Sequence, residues 1–342
     1  MSRRRATQRD VAQLAGLSQA MVSIALSGGT DAVSAETLER INAAAKELGY
    51  VPNRFAQALK TNRTMTIACI VPDITNPYYP ALIRGIQSVA EGHSYDVIAV
   101  NTDGLAVRER HFLNWSREGR VDGVIGVFWT LRAQDFVDVL TAGVPVVRIE
   151  PTRKNVGEIP LDNIYVDNLA ASYAMVRHLV GAGHHSIGMV AGRGGPQAVR
   201  VDGYITAVSE AGAEPDVVLD DKFNEEGGYR AAQVLFTRNP RLTAIFAAND
   251  LMAIGVMQAA REAGLAVPED LAVAGFDDIS AASLVSPGLT TVAQFQNEIG
   301  VRAAQILMER LQDKTPRPGT ATEMPFRLIE RGSTRSASQS TL

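Results

Sequence analysis

The side chains able to do chemistry in this chain stand just beyond short apolar runs. Asn76, Tyr78 and Tyr79 follow a run at 66–71, and Phe128 and Trp129 stand at the end of one at 123–128 and just after it. Glu150 follows 145–149, Asn249 and Asp250 follow 244–247, and Asp277 follows 271–274. Arg200 opens a helical stretch after the Gly-rich segment 192–196. Carboxylates, amides, a guanidinium and rings gathered at strand ends suit a polyol: polar groups bond the hydroxyl edges and rings cover the C–H patches. Plainer readings stand beside this one. Asn249 and Asp250 serve equally as a helix cap, Asp277 as a cap for the turn at 279–284, and Tyr79 and Phe128 as core.

Covalent, hydride and metal chemistry lack their marks. Gly192-Arg193-Gly194-Gly195 follows a strand-like run, but position 197 is Gln where a dinucleotide fingerprint needs Gly. There is no phosphate-binding P-loop, no Gly-x-Ser-x-Gly elbow and no helical pair of metal-binding histidines. His184 and His185 are adjacent, so one helix or strand face cannot present both. A binding protein without turnover, cofactor or metal is the expectation.

A second chemistry is concentrated at the N-terminus. Residues 1–63 hold nine Lys/Arg and five Asp/Glu, a net +4 that leaves −8 for the rest of a chain whose total is −4. A basic head on an acidic body places any polyanion contact on the head, although a solvated basic face gives the same charge. Ala15-Gly16-Leu17-Ser18-Gln19-Ala20 supplies a small residue at a turn and a polar start to the next helix. That is the requirement of a helix-turn-helix, whose second helix brings its N-terminal residues to base edges.

The elements that must position these groups follow from periodicity. Thr7, Ser18 and Ser34 can cap three short helices, the first burying Val11, Ala12, Leu14 and Ala15 and the third Leu38, Ile41, Ala45 and Leu48. Pro52 suits the start of one more helix at 53–59. From Met65 the apolar runs alternate with amphipathic stretches, which means a parallel sheet covered by helices on both faces. The runs are too many for one small sheet, so two doubly wound lobes are expected, with the chain crossing near 163–168. The division is a helix-turn-helix domain at 1–51, a hinge at 52–64 and a core at 65–331. The first lobe takes about 65–164 and 296–323, the second about 165–292 and 324–331. The Ser/Thr-rich end, 332–342, reads as a disordered tail. Cys69 is the one cysteine and lies in an apolar run, so it reads as core. No apolar stretch has transmembrane length and no secretory signal follows the opening arginines, so a cytoplasmic protein with no membrane contact is expected.

These residues carry a resemblance to a known family. Asp10-Val11-Ala12-Gln13-Leu14-Ala15-Gly16-Leu17-Ser18, Met21-Val22-Ser23 and Leu48-Gly49-Tyr50-Val51-Pro52-Asn53-Arg54 resemble the head and hinge of the lac repressor-type (LacI/GalR) family. Asn76-Pro77-Tyr78-Tyr79, Arg200-Val201-Asp202-Gly203, Asn249-Asp250 and Gly275-Phe276-Asp277-Asp278 resemble its markers further on, so that residues 9–331 are covered. The resemblance implies a periplasmic-binding-protein-like core and a homodimer on a near-palindromic operator. It also implies that Leu59 is an apolar minor-groove wedge, flanked by Asn53, Arg54, Ala56 and Lys60. In the core it assigns ligand contacts to Arg200, Phe223, Asn249, Asp277 and Gln294, with Asn76, Tyr78 and Glu150 beside them. Trp129 joins the candidates from its strand-end position. One departure stands out: many members carry Arg just after the Val-Ser pair, where this chain has Ile24. Arg is the commonest reader of guanine, so base reading shifts to Ser18, Gln19, Ala20 and Ser23, with Thr7 ahead of them. The expected function is a repressor released from DNA by a sugar or related polyol.

Overall fold

The computed structural model describes residues 6–26, 33–52, 54–154, 157–313, 315 and 317–334. The chain divides at residues 65 and 66 into two compact units.

The first unit contains α1 (Gln8–Ala15), α2 (Gln19–Leu26), α3 (Ala35–Glu47) and α4 (Arg54–Thr61). Thr7 and Asp10 form a reciprocal capping box at the start of α1, Ser18 Oγ accepts the Met21 N–H, and Ser34 Oγ accepts that of Thr37. Gly16 ends α1 at φ 65°, a conformation natural to glycine. Arg40 of α3 donates to the Ala15 carbonyl at 2.7 Å, satisfying a carbonyl that α1 leaves open. Val11, Ala12, Ala15, Val22, Ala25, Ile41, Ala44 and Ala45 make the core. Leu14 and Leu48, expected inside, are exposed. Leu14 lies roughly a quarter-turn off the face that Val11, Ala12 and Ala15 share.

The second unit runs β1 (Thr66–Val71), α5 (Tyr78–Gly92), β2 (Asp96–Asn101), α6 (Ala106–Trp115), β3 (Gly123–Gly126), α7 (Val137–Thr141), β4 (Val146–Glu150) and β5 (Asp162–Val166). It continues through α8 (Asn168–Gly181), β6 (Ile187–Gly192), α9 (Gln197–Glu210), β7 (Asp216–Asp220), α10 (Glu225–Arg238), β8 (Ala244–Ala247), α11 (Asp250–Glu262) and β9 (Ala272–Ala274). It ends with α12 (Ser280–Leu284), β10 (Thr291–Ala293), α13 (Gln296–Gln312), β11 (Ala321–Met324) and β12 (Arg327–Ile329).

Two parallel sheets result. The first lobe's order is β11-β5-β4-β3-β1-β2 and the second's is β7-β6-β8-β9, with β10 and β12 as an antiparallel pair. In the second lobe alternate residues serve opposite cores. Met189, Phe246 and Ala274 meet α8 and α9, while Val190, Ile245 and Val273 meet α10 and α11. A sheet covered on both faces needs apolar residues at every position, which is why these strands read as unbroken runs.

The chain changes lobes three times: after Val166, around Phe295, and between Met324 and Arg327. The boundaries move slightly from the expected ones. β5 reaches Val166 within the first sheet, where it pairs with β11 through Met324. The lobe boundary expected at 323–324 falls instead between two strands in different sheets, β11 and β12, separated by Pro325, which lacks the N–H to extend a ladder. The expected disordered tail also begins later. Ser333 is fully buried; its hydroxyl accepts the Thr290 N–H and donates to the Val273 carbonyl. Residues 335–342 lie outside the described residues.

Candidate functional site

On the head, Ser18 just before α2 and Gln19, Ala20 and Ile24 on it are exposed, and Ser23 is half-buried. Thr7 is exposed, its hydroxyl shared with the Asp10 carboxylate at 2.8 Å. Gln19 and Ala20 lie in the first turn of α2, the end that a recognition helix presents to bases. Leu59 of α4 is 90% exposed, so it is not a core leucine. Ala56 is exposed as well. Asn53 lies outside the described residues, as do the side chains of Arg54 and Lys60.

In the second unit, one cavity of about 710 Å³ lies between the lobes, and all nine candidate ligand residues line it. In all, five acidic and five basic side chains line it, three of them among those nine, so the lining is formally uncharged.

The second lobe supplies Arg200, Asp277, Asn249 and Phe223. Arg200 Nε donates to Asn168 Oδ1 at 2.7 Å and its Nη1 to the Ala248 carbonyl. Its Nη2 lies 3.3 Å from Asp277 Oδ1, with both side chains only 6% exposed. The guanidinium also stacks on Phe276, 3.8 Å from the ring centre. Gln294 Nε2 donates to the same Asp277 oxygen at 2.7 Å. Asp277 holds a left-handed φ of 113°, a strained conformation for a non-glycine residue. Burial pushes its carboxyl up to about 6, against the pull of Arg200 and Gln294.

Asn249 fulfils its plainer reading as well as lining the cavity. Its Oδ1 caps α11 at Met252 N and its Nδ2 donates to the Phe223 carbonyl, both at 2.8 Å. Asp250 is structural: one oxygen accepts the Ile279 N–H at 2.8 Å and the other the Thr291 hydroxyl. Asp250, not Asp277, therefore meets the turn at Ile279. Burial raises the Asp250 carboxyl well above the usual range, with nearby Asp277 adding to the effect.

The first lobe supplies Asn76, Tyr78, Trp129 and Glu150. Asn76 Oδ1 accepts the Tyr78 N–H at 3.0 Å at the start of α5, and Tyr78 packs edge-on against Tyr79. Tyr79 and Phe128 are both buried and both line the cavity, so each serves core and wall. Glu150 pairs with Arg148 at 3.0 Å, the two side chains 9% and 6% exposed. Lys154 approaches its other oxygen at 3.7 Å. Burial raises the Glu150 carboxyl and lowers the Arg148 guanidinium, and each partner's charge opposes the shift. Arg148 also forks onto Asn163 Oδ1 of β5 at 3.0 and 2.7 Å. Arg148 was not among the sequence candidates. Its signal is a lone arginine inside the otherwise apolar run 145–149, a position that demands a buried partner.

Each lobe thus presents one buried, mutually neutralised ion pair beside aromatic rings. Gln197, which breaks the dinucleotide fingerprint, explains itself here: its carbonyl oxygen accepts the Gly192 N–H.

Residues 7–53 match the family described as "Bacterial regulatory proteins, lacI family", and residues 176–334 match the periplasmic binding protein-like domain. The chain is 34% identical over 337 residues to the "HTH-type transcriptional repressor CytR" of Escherichia coli (strain K12), covering 96% of each. It is similar to a solved "transcriptional regulator CelR-cellobiose complex" at 30% identity and TM-score 0.70, over 96% of this chain and 100% of that one. It is similar also to the lac repressor dimer bound to operator and the anti-inducer ONPF, at 26% identity and TM-score 0.82, over 97% of this chain and 100% of that one. The chain belongs to the LacI family of bacterial transcription regulators: a helix-turn-helix head followed by a two-lobed effector-binding core. No helix among the described residues is long and apolar enough to cross a membrane.

Proposed function

We propose that this regulator is a homodimeric repressor, working in the cytoplasm on a near-palindromic operator, and that an uncharged sugar or related polyol between its lobes releases it. The carrying observation is the pair of buried ion pairs, Arg200–Asp277 and Arg148–Glu150, around a cavity whose lining is formally neutral. An anionic ligand seated against these two pairs would have to break one of them and leave a charge unmatched, which is costly in a buried site. A neutral hydroxyl leaves both pairs standing and takes their remaining acceptors and donors. Asp277 Oδ2, the free Arg200 N–H groups and the ring of Phe223 would hold it. Asn76, Tyr78, Trp129, Glu150, Asn249 and Gln294 would complete the shell.

On the operator, Gln19, Ala20 and Ser23 would read the major groove with Ser18 and Thr7 at the helix ends. Leu59 would wedge the minor groove between Asn53, Arg54, Ala56 and Lys60. The cellobiose complex of the CelR relative and the operator-bound state of the lac repressor relative support the two halves of this reading. The effector would be bound and released unchanged. Because coupling between two sites is reciprocal, DNA would weaken effector binding by the same factor by which effector weakens DNA binding.

The test is a thermal-shift screen of sugars, polyols and nucleosides, followed by calorimetry and operator shifts with the hit. A neutral ligand that binds without turnover and lowers operator affinity supports the reading. A phosphorylated ligand that outcompetes its neutral counterpart overturns it.

A further inference from the structure

The first lobe's side of the cleft contains one side chain whose placement is controlled by a residue outside the cleft. Trp129 follows β3, and its backbone N–H donates to Glu109 Oε1 at 2.7 Å. The Thr130 N–H and hydroxyl donate to Glu109 Oε2 at 3.1 and 2.6 Å. Glu109 projects from α6 and is fully buried. A buried carboxylate that accepts three hydrogen bonds from one turn fixes that turn.

From this turn the indole reaches across to the other lobe. A Cβ on Gly195, in the loop between β6 and α9, would stand 2.7 Å from the indole Cε2. A Cβ on Gly104, in the first lobe, would stand 2.2 Å from the indole Cε3. The ring is therefore seated on two glycines, one from each lobe, where any other residue would displace it. The centroid of Phe223 lies 4.8 Å from that of Trp129, tilted by 44°. This is already contact distance for an aromatic pair, so nothing fits between the rings and together they make one wall. The indole N–H is buried with no hydrogen-bond partner among the described residues. An unpaired donor at the edge of a ligand cavity regains a bond if a ligand acceptor reaches it.

We propose that Trp129, positioned by Glu109 and seated against Gly195 and Phe223, is a specificity-determining wall of the effector site. It limits the length of ligand the cleft accepts and favours one with an acceptor at the indole N–H. This rests on the cleft being the effector site. The seating itself does not.

Trp115 and Trp129 are the two tryptophans, so full-length chain carrying Trp115→Phe makes Trp129 the sole reporter. Expected is a blue-shifted emission, weakly quenched by acrylamide. Glu109→Ala should raise quenching several-fold, and Gly195→Ala should do the same from the opposite lobe with Glu109 intact. Circular dichroism verifies the fold of each variant, and Glu109→Gln, which keeps one acceptor, should fall between wild type and Glu109→Ala. A Trp129 quenched like free tryptophan in the parent, or unmoved by Gly195→Ala, overturns the seating. The second arm titrates glucose and cellobiose against wild type and Trp129→Ala. Removing the wall should favour cellobiose over glucose by about tenfold relative to wild type. An unchanged ratio overturns the specificity role. If neither sugar nor any other uncharged polyol binds wild type, the reading of the cleft fails, while the fluorescence arm still decides how Trp129 is held.

Discussion

The Asp277 carboxylate faces the Arg200 guanidinium at 3.3 Å inside the cleft, and Asp277 remains harder to ionise than a carboxylate in water. Desolvation outweighs the attraction of the cation because both groups are almost wholly buried.

The sign of the resulting pH dependence follows from the folded state's tighter hold on the proton. Stability contributed by Asp277 is complete below its ordinary value of 3.8 and is lost as pH rises through about 6. A shift of this size amounts to on the order of 3 kcal/mol at most. Asp277→Asn should therefore flatten the fall in unfolding free energy across that window, read by urea titration at a series of pH values. An identical slope in both proteins would show that Asp277 titrates normally. Effector affinity should run the other way, weakening as the pH drops below about 6, because a protonated carboxyl is a poorer acceptor.

Leu59→Ala should leave the thermal stability of the chain within about 0.5 kcal/mol, since the side chain is 90% exposed. Operator affinity should nevertheless fall by about 1–3 kcal/mol if the residue wedges a base step. Fluorescence anisotropy with operator DNA, beside a thermal melt, separates the two effects. Unchanged DNA affinity would remove Leu59 from the interface.

Ser333→Ala should destabilise the second unit by about 1–3 kcal/mol, because it strips a partner from the buried Thr290 N–H and Val273 carbonyl. Denaturant unfolding measures this. No loss would mean that the end of the chain does not hold the second lobe.

A chain beginning at Thr66 should fold, bind effector with unchanged affinity and ignore operator DNA, since residues 66–342 form their own compact unit. Calorimetry and operator shifts check both properties. Lost effector binding in a folded fragment would mean that the head contributes to the site.

Much of this was legible in the residues. Strongly apolar strands such as Ile187–Gly192 and the capped helices of the head announced themselves because pattern, caps and glycines agreed. β5 (DNIYV) and β7 (DVVLD) did not, because buried or half-buried polar residues interrupt their apolar character. Asp162 in β5 is buried against Arg310, which grips both its oxygens at 2.7 and 2.9 Å. Distant partners, Arg310 and the N–H and hydroxyl of Thr320, make that carboxylate compatible with a central strand. The cleft showed the same limit. Arg200 and Asp277 were visible as polar residues at element ends, but Arg148 and Glu109 act through partners that neither spacing nor periodicity can place.

Both lobes borrow from the far end of the chain: the first takes α13 and β11, and the second takes β12 and Ser333. In the head, three capped helices close in sequence pack on one another. During synthesis at about 5–20 residues per second, the head emerges complete while the strand that closes the first sheet is still untranslated, an interval of tens of seconds. A newborn chain therefore completes its head before its cleft, and a response to effector would wait for α13, β11 and β12.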